Sequence, residues 1–197
     1  DVENDIVLVR RHDGIPVWSG NSNNGTAFGN AVQTDSGILG KGFSFDGNGD
    51  YIELGNLDSV ENVSGISVSV WVKPSFAAGN VVLTIARGTG GAGNLVFNLD
   101  RGATERFEFI VYNITDIFAR AQSNIYQDTN WRHVVGVYNG TNVQIYVDGI
   151  ADDSTPNFLS GNTDTSTSVY SISQNLINSF NGTIDDVMIF NRSLSAE

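Results

Sequence analysis

Few side chains in this 197-residue chain are equipped for chemistry. There is no cysteine, and the two histidines, His12 and His133, are too few to hold zinc by themselves. The glutamates are Glu3, Glu53, Glu61, Glu105, Glu108 and Glu197. Hydrolysis of a glycosidic bond uses two carboxyls roughly 5–5.5 Å apart in retaining enzymes and roughly 6.5–9.5 Å apart in inverting ones. Glu105 and Glu108 stand three apart, and Asp185 and Asp186 are adjacent. On a regular strand either pair divides between opposite faces. No Gly-x-Ser-x-Gly elbow is present, and His133 reads as a face-lining residue rather than a base. The glycine-rich residues 88–93 lack lysine and lead into a strand, so they are no phosphate cradle. Asp46, Asn48 and Asp50 start like an EF-hand loop, but Tyr51 and Leu57 stand where it needs Gly and Glu. The expected chemistry is binding, not bond breaking.

Two kinds of binding are within reach. Ile184, Val187 and Ile189 look core-facing, so the carboxylates of Asp185 and Asp186 interrupt the alternation and imply a β-bulge, which re-aims side chains. Residues 19–26 (SGNSNNGT) form a turn-rich backbone whose carbonyls and amides suit a hard cation such as Ca²⁺. The alternative is a pair of solvated edge carboxylates and an ordinary polar loop. For sugars, the outward aromatics Trp71, Tyr112, Trp131 and Tyr146 offer faces for pyranose rings. His133, Gln144, Arg106 and Glu108 supply polar partners if their strands adjoin. The alternative there is that loops cover each ring.

Strands must position these groups. Residues 131–149 (WRHVVGVYNGTNVQIYVDG) place two β-branched runs around Asn139-Gly140, a hairpin signal because both turn residues need φ > 0. A two-residue turn there sets Tyr138 opposite Thr141, Gly136 opposite Val143, Val134 opposite Ile145 and Arg132 opposite Val147. Val134, Gly136, Tyr138, Val143, Ile145 and Val147 then face the core. The other face, with His133, Val135, Val137, Gln144 and Tyr146, is too apolar to stand bare, so another segment should lie over it. Residues 43–54 read as a second hairpin around a glycine-rich turn. Residues 66–73 alternate as a half-buried strand stopped by Pro74. Further strands are expected at 6–9, 81–86, 95–99, 105–112, 114–122, 169–172 and 184–190, with a polar loop over 152–167.

Composition bounds the rest. With 22 Gly, 3 Pro and no helical periodicity, one β-rich domain over 1–197 is expected. No apolar run approaches the ~20 residues of a membrane span. The first residues lack a signal-peptide pattern, so the expectation is a soluble segment, an excised domain or a mature product. A net charge of −12, with lysine only at Lys41 and Lys73, argues against nucleic acid and anionic membrane as partners. Charged residues are nevertheless only 16%, leaving a surface of Asn, Ser, Thr and Gly, a composition common in secreted and cell-surface β domains.

Trp-x-His-Val at 131–134, the aromatic-Asn-Gly turn at 138–140 and Tyr-Val-Asp-Gly at 146–149 resemble the laminin G-like, concanavalin A-like jelly-roll domains. Residues 42–54 (GFSFDGNGDYIEL), 66–74 (ISVSVWVKP) and 180–197 (FNGTIDDVMIFNRSLSAE) resemble further stretches in the same order. The resemblance implies an all-β fold, a two-sheet antiparallel β-sandwich of the jelly-roll type. It implies a non-catalytic extracellular module recognising glycans or a cell-surface partner, with a structural spacer or assembly domain as the alternative. A divergent polysaccharide-cleaving enzyme is the third reading, against which stands the absence of the Glu-x-Asp-x-x-Glu strand that hydrolases of this fold carry. It also implies structural Ca²⁺ on Asp185 beside Asp186, with oxygens from Asn21 and Asn24. The family's usual Asp two residues before Ser19 is replaced by Val17.

Overall fold

Period-two alternation of apolar residues builds nearly every element. The computed structural model describes residues 6–8, 25–38, 40–75, 97–101, 104–153, 157–165, 169–173 and 180–195. In chain order the strands are β1 (Ile6–Leu8), β2 (Thr26–Phe28), β3 (Val32–Gly37), β4 (Gly40–Asp46), β5 (Tyr51–Gly55), β6 (Ile66–Pro74) and β7 (Phe97–Arg101). They continue as β8 (Arg106–Tyr112), β9 (Phe118–Ile125), β10 (Arg132–Tyr138), β11 (Asn142–Val147), β12 (Ile150–Ala151), β13 (Asn157–Phe158), β14 (Tyr170–Ile172) and β15 (Asn181–Phe190). Among the described residues the only helical element is a 3-10 turn at Asp58–Val60.

The first sheet runs β12-β11-β10-β6-β15-β4-β3, with β1 added to β15 and β13 to β11. The second comprises β14-β5-β2 and β7-β8-β9, with no pairing between the two triplets among the described residues. All pairings are antiparallel. The inner faces meet in one core that includes Val68, Val70, Val134 and Ile145 from the first sheet and Phe97, Phe107, Phe109 and Val111 from the second. This is the expected two-sheet antiparallel β-sandwich. Gly136 marks how close the layers come: a Cβ built there would lie 2.3 Å from Cγ of Phe109.

The hairpin of β10 and β11 forms, but in a different register from the one its Asn-Gly pair suggests. Tyr138 pairs with Val143, Gly136 with Ile145 and Val134 with Val147. The turn residues are Gly140 and Thr141, and of these only Gly140 has positive φ, at +88°. Glycine at the first central position is the type II′ arrangement. Asn139 acts as a cap instead of a turn centre, its Oδ1 accepting from the amides of Thr141 (3.1 Å) and Asn142 (2.8 Å). A shift of two residues leaves each side chain on its face, so Val134, Val143, Ile145 and Val147 are buried as expected. Gly140→Val should still cost about 2 kcal/mol, from the positive φ and from a Cβ 2.8 Å from the carbonyl oxygen of Ser64. A melting temperature equal to wild type would contradict this geometry.

Residues 43–54 do not form the expected hairpin. β4 pairs with β15 and β3, whereas β5 pairs with β14 and β2, so the Gly47–Gly49 turn is an arch carrying the chain between sheets. Both glycines have positive φ, at +84° and +79°. Residues 114–117 are likewise not strand; they form a turn organised by Asn113, whose Oδ1 accepts from the amides of Thr115 (3.1 Å) and Ile117 (3.0 Å).

β6 is more than half buried, because its outer face is covered too. Ser67 Oγ donates to the carbonyl of Arg192 (3.0 Å) and accepts from the amide of Leu194 (2.9 Å), so residues 191–195 fold back over the sheet. Ser67, Ser69 and Val137 are buried on that side. The expected strand at 81–86, the glycine-rich 88–93 and Asn21 and Asn24 lie outside the described residues.

Candidate functional site

Two outward faces are available, one on each sheet. On the first sheet, Asp185 of β15 lies beside Trp71 of β6, and Trp71 beside His133 of β10. The bulge expected at the acidic pair is present: Asp185 pairs with Trp71 and Met188 with Ser69, leaving Asp186 and Val187 against Val70 alone. Asp186 adopts φ +44°, and its amide donates to Oδ1 of Asp185 at 2.8 Å. Asp185 is 1% exposed. A Cβ at Gly37 would fall 2.3 Å from its Oδ2, so the glycine leaves room for the carboxylate.

The ring of His133 stacks on Trp71 with centroids 4.9 Å apart, and its Nε2 shares a hydrogen bond with Ser69 Oγ at 2.8 Å. Burial pushes its pKa below the usual histidine value, against the opposing charges of Asp148 and Asp186. Tyr146 stands opposite Val135 on the same face, its hydroxyl donating to Gln144 Oε1 at 3.3 Å. Trp131 is half-buried just ahead of β10. Trp71, His133 and Tyr146 thus share one face. Tyr112 does not: it belongs to β8 in the second sheet, so the five aromatic and histidine candidates do not make one site.

The outer face of β7-β8-β9 is richer. Phe107, Phe109 and Val111 point inward as alternation requires, which turns Glu108, Ile110 and Tyr112 outward. Cross-strand pairing sets Asp100, Glu108 and Gln122 in one row, Asn98, Ile110 and Arg120 in the next, and Tyr112 beside Phe118 in the third. The rings of Tyr112 and Phe118 are 5.3 Å apart, and Phe118 is 56% exposed. Ile114 and Ile117 are exposed on the adjoining turn. The result is an apolar step bordering a polar patch.

Within that patch Gln122 Nε2 donates to Glu108 Oε1, Asn98 Nδ2 donates to Asp100 Oδ2 at 2.7 Å, and Arg120 lies 3.5 Å from Glu108 Oε2. Burial, with the charge of Glu108 behind it, pushes the Asp100 carboxyl up to about 7. A carboxyl raised in this way can serve as a proton donor. Here, however, Oδ1 of Asp100 is buried without a partner and Oδ2 is held by Asn98, so neither oxygen is placed to pass a proton to a molecule on the surface.

Asn98, Asp100, Phe118, Arg120 and Gln122 escaped the reading of the sequence. Alternation in FNLDR (97–101) and FARAQ (118–122) marks which side chains face outward. What the sequence lacks is the pairing order that aligns them with Glu108 and Tyr112. Among the described residues no three His, Cys, Asp or Glu side chains converge as a metal cluster.

The profile of the concanavalin A-like lectin/glucanases superfamily matches residues 46–197. No curated protein sequence matches the chain. Among solved structures, the binding domain of Paraclostridial Mosquitocidal Protein 1 aligns with TM-score 0.74 at 16% identity, over 100% of this chain and 51% of that one. Domain 4 of AbnA, a GH43 extracellular arabinanase from Geobacillus stearothermophilus, in complex with arabinotriose, aligns with TM-score 0.70 at 18% identity, over 98% and 95%. The binding domain of Botulinum Neurotoxin DC in complex with SialylT aligns with TM-score 0.71 at 13% identity, over 100% and 50%. The chain spans about half the length of the toxin domains it matches. At these identities the likeness is one of fold.

Proposed function

The chain belongs to the concanavalin A-like lectin/glucanases superfamily, and on that footing we propose that it is a non-catalytic module that binds glycans on the outer face of β7-β8-β9. The observation that carries this reading is the step of half-buried Tyr112 and exposed Phe118 beside Glu108, Gln122 and Arg120. Ring faces take the apolar side of a sugar, while amide, guanidinium and carboxylate groups take its hydroxyls. The complexes of two fold relatives with arabinotriose and SialylT support a sugar as ligand. The Asn-, Ser- and Thr-rich surface supports an extracellular or cell-surface setting.

A glycan array followed by titration calorimetry tests this. Phe118→Ser should weaken binding about tenfold, through loss of roughly 1–1.5 kcal/mol of stacking, with an unchanged melting temperature. Trp71→Ala should leave affinity intact. The opposite pattern would move the site to the first sheet, where Trp71, Trp131, His133 and Tyr146 remain the candidates, and an array with no bound glycan would end the reading.

We also infer a structural Ca²⁺ beside the bulge, held by Asp185 with Asp186 and oxygens of Asn21 and Asn24. The donor set suits it: hard carboxylate and amide oxygens. A cation bound only to the folded chain adds about 2.7 kcal/mol at a hundredfold excess over Kd. Chelator should therefore lower the melting temperature, Ca²⁺ should restore it, and Asp185→Asn should abolish the response. An identical melting curve in chelator would remove the ion.

A further inference from the structure

The charges on the face of β7-β8-β9 stand at different heights. The side chain of Glu108 is 13% exposed and accepts from Gln122 Nε2, while that of Arg120 is 46% exposed. Asp100 is half-buried, and burial, then the charge of Glu108, pushes its carboxyl up to about 7. The charge that this face presents to solvent is therefore a cation. Among the described residues the Arg120 guanidinium meets only Glu108, with Nη1 3.5 Å from Oε2. A guanidinium carries five N–H donors in a planar fork, so most of them are left for a ligand. Its cross-strand neighbour is Ile110, whose side chain offers no acceptor. Phe118 stands two residues before Arg120 on the same outward side of β9, about 7 Å along the strand. A sugar lying on the Phe118 ring thus has Arg120 within reach of its substituents.

Resting on the glycan-binding reading, we propose that Arg120 is the specificity residue of this face and selects glycans bearing a carboxylate. The guanidinium fork matches the two oxygens of a carboxylate and binds them as a bidentate pair, which a hydroxyl cannot reproduce. The chain's net charge of −12 opposes such a ligand at long range. That field is screened beyond about 8 Å at physiological ionic strength, whereas a contact at hydrogen-bond distance largely escapes screening. The exposed Phe118 ring supplies affinity to charged and uncharged sugars alike. The guanidinium sets the preference.

A glycan array printed with 3′-sialyllactose and trigalacturonic acid, each beside its methyl ester, tests this on the intact chain at physiological salt. The ester removes the charge and keeps the sugar. In at least one pair the acid should bind about fivefold more tightly than its ester, the worth of one partly exposed charge pair, about 1 kcal/mol. Arg120→Gln should remove the preference without moving the melting temperature. In Phe118→Ser acid and ester should weaken together. Acids that bind no better than their esters in both pairs overturn the selectivity, as does binding of uncharged glycans alone, and glycan binding then stands without it. A preference that survives unchanged in Arg120→Gln also overturns the proposal. An array with no bound glycan removes the glycan reading itself, and the selectivity with it.

Discussion

Gly136→Val is expected to leave little or no folded protein. The site lies where β10 crosses β8, and a Cβ there would sit 2.3, 2.4 and 2.6 Å from three ring carbons of Phe109, which is itself fully buried. The ring cannot withdraw without disturbing Phe97, 6.4 Å away centroid to centroid. Overpacking a close-packed core usually costs about 1–3 kcal/mol, and a clash this deep should reach about 4 kcal/mol or more, most of the margin of an ordinary domain. The comparison is Gly149→Ala. Gly149 has φ +81° but open space around its Cβ, so only backbone strain of about 1 kcal/mol is at stake. Urea unfolding of both variants separates steric from conformational cost. A Gly136→Val protein with a wild-type midpoint would mean that the sheets stand further apart than described.

Asp100→Asn should stabilise the protein, and only above acid pH. In the folded chain the Asp100 carboxyl is raised from 3.8 to about 7 by burial, then by the charge of Glu108, with Asn98 and Arg120 opposing. A folded-state value above the unfolded one means that the native chain holds its proton more tightly. The associated stability is complete below about pH 4 and is lost as pH rises through 7. At 1.36 kcal/mol per pKa unit the loss has a ceiling of about 4 kcal/mol. Asparagine keeps the shape without the proton equilibrium. Its advantage should be absent at pH 4, grow between pH 4 and 7, and level off near pH 8 at about 2–4 kcal/mol. Urea midpoints across that range give the profile; a pH-independent difference would show a carboxyl that ionises freely in the fold.

The sandwich was legible in the sequence because period-two patterns in residues 106–112 and 142–147 record burial directly. The same periodicity explains why the β10–β11 faces came out right although the turn is centred one residue later: an even shift preserves sidedness. Sheet membership was not recorded in that way. FSF and YIEL look like two arms of a hairpin, yet Gly47 and Gly49 serve equally well in an arch between sheets. The bulge at Asp185-Asp186 was readable because two carboxylates in an apolar alternation leave few other options. The β7-β8-β9 face was not, since Asp100 and Glu108 meet only through a pairing that no local pattern encodes. Asn113 hid the start of β9 by capping a turn inside an apolar run.

β15 pairs with β6 along most of its length, and on its other edge first with β4 and then with β1, exchanging partners at the bulge. It is therefore both the latest strand in chain order among those described and a central one of the first sheet. On a ribosome delivering the chain from its N-terminus, β4 and β6 would each emerge with a bare hydrogen-bonding edge and wait for residues 181–190. Closure spans long separations, 125 residues for the Ser67–Arg192 contact alone. Such topology folds slowly and cooperatively, and the waiting edges are templates for pairing with another nascent chain. For this sandwich, the first sheet cannot close before residues 181–190 have emerged, and the interval before β15 arrives is when the waiting edges are most exposed to aggregation.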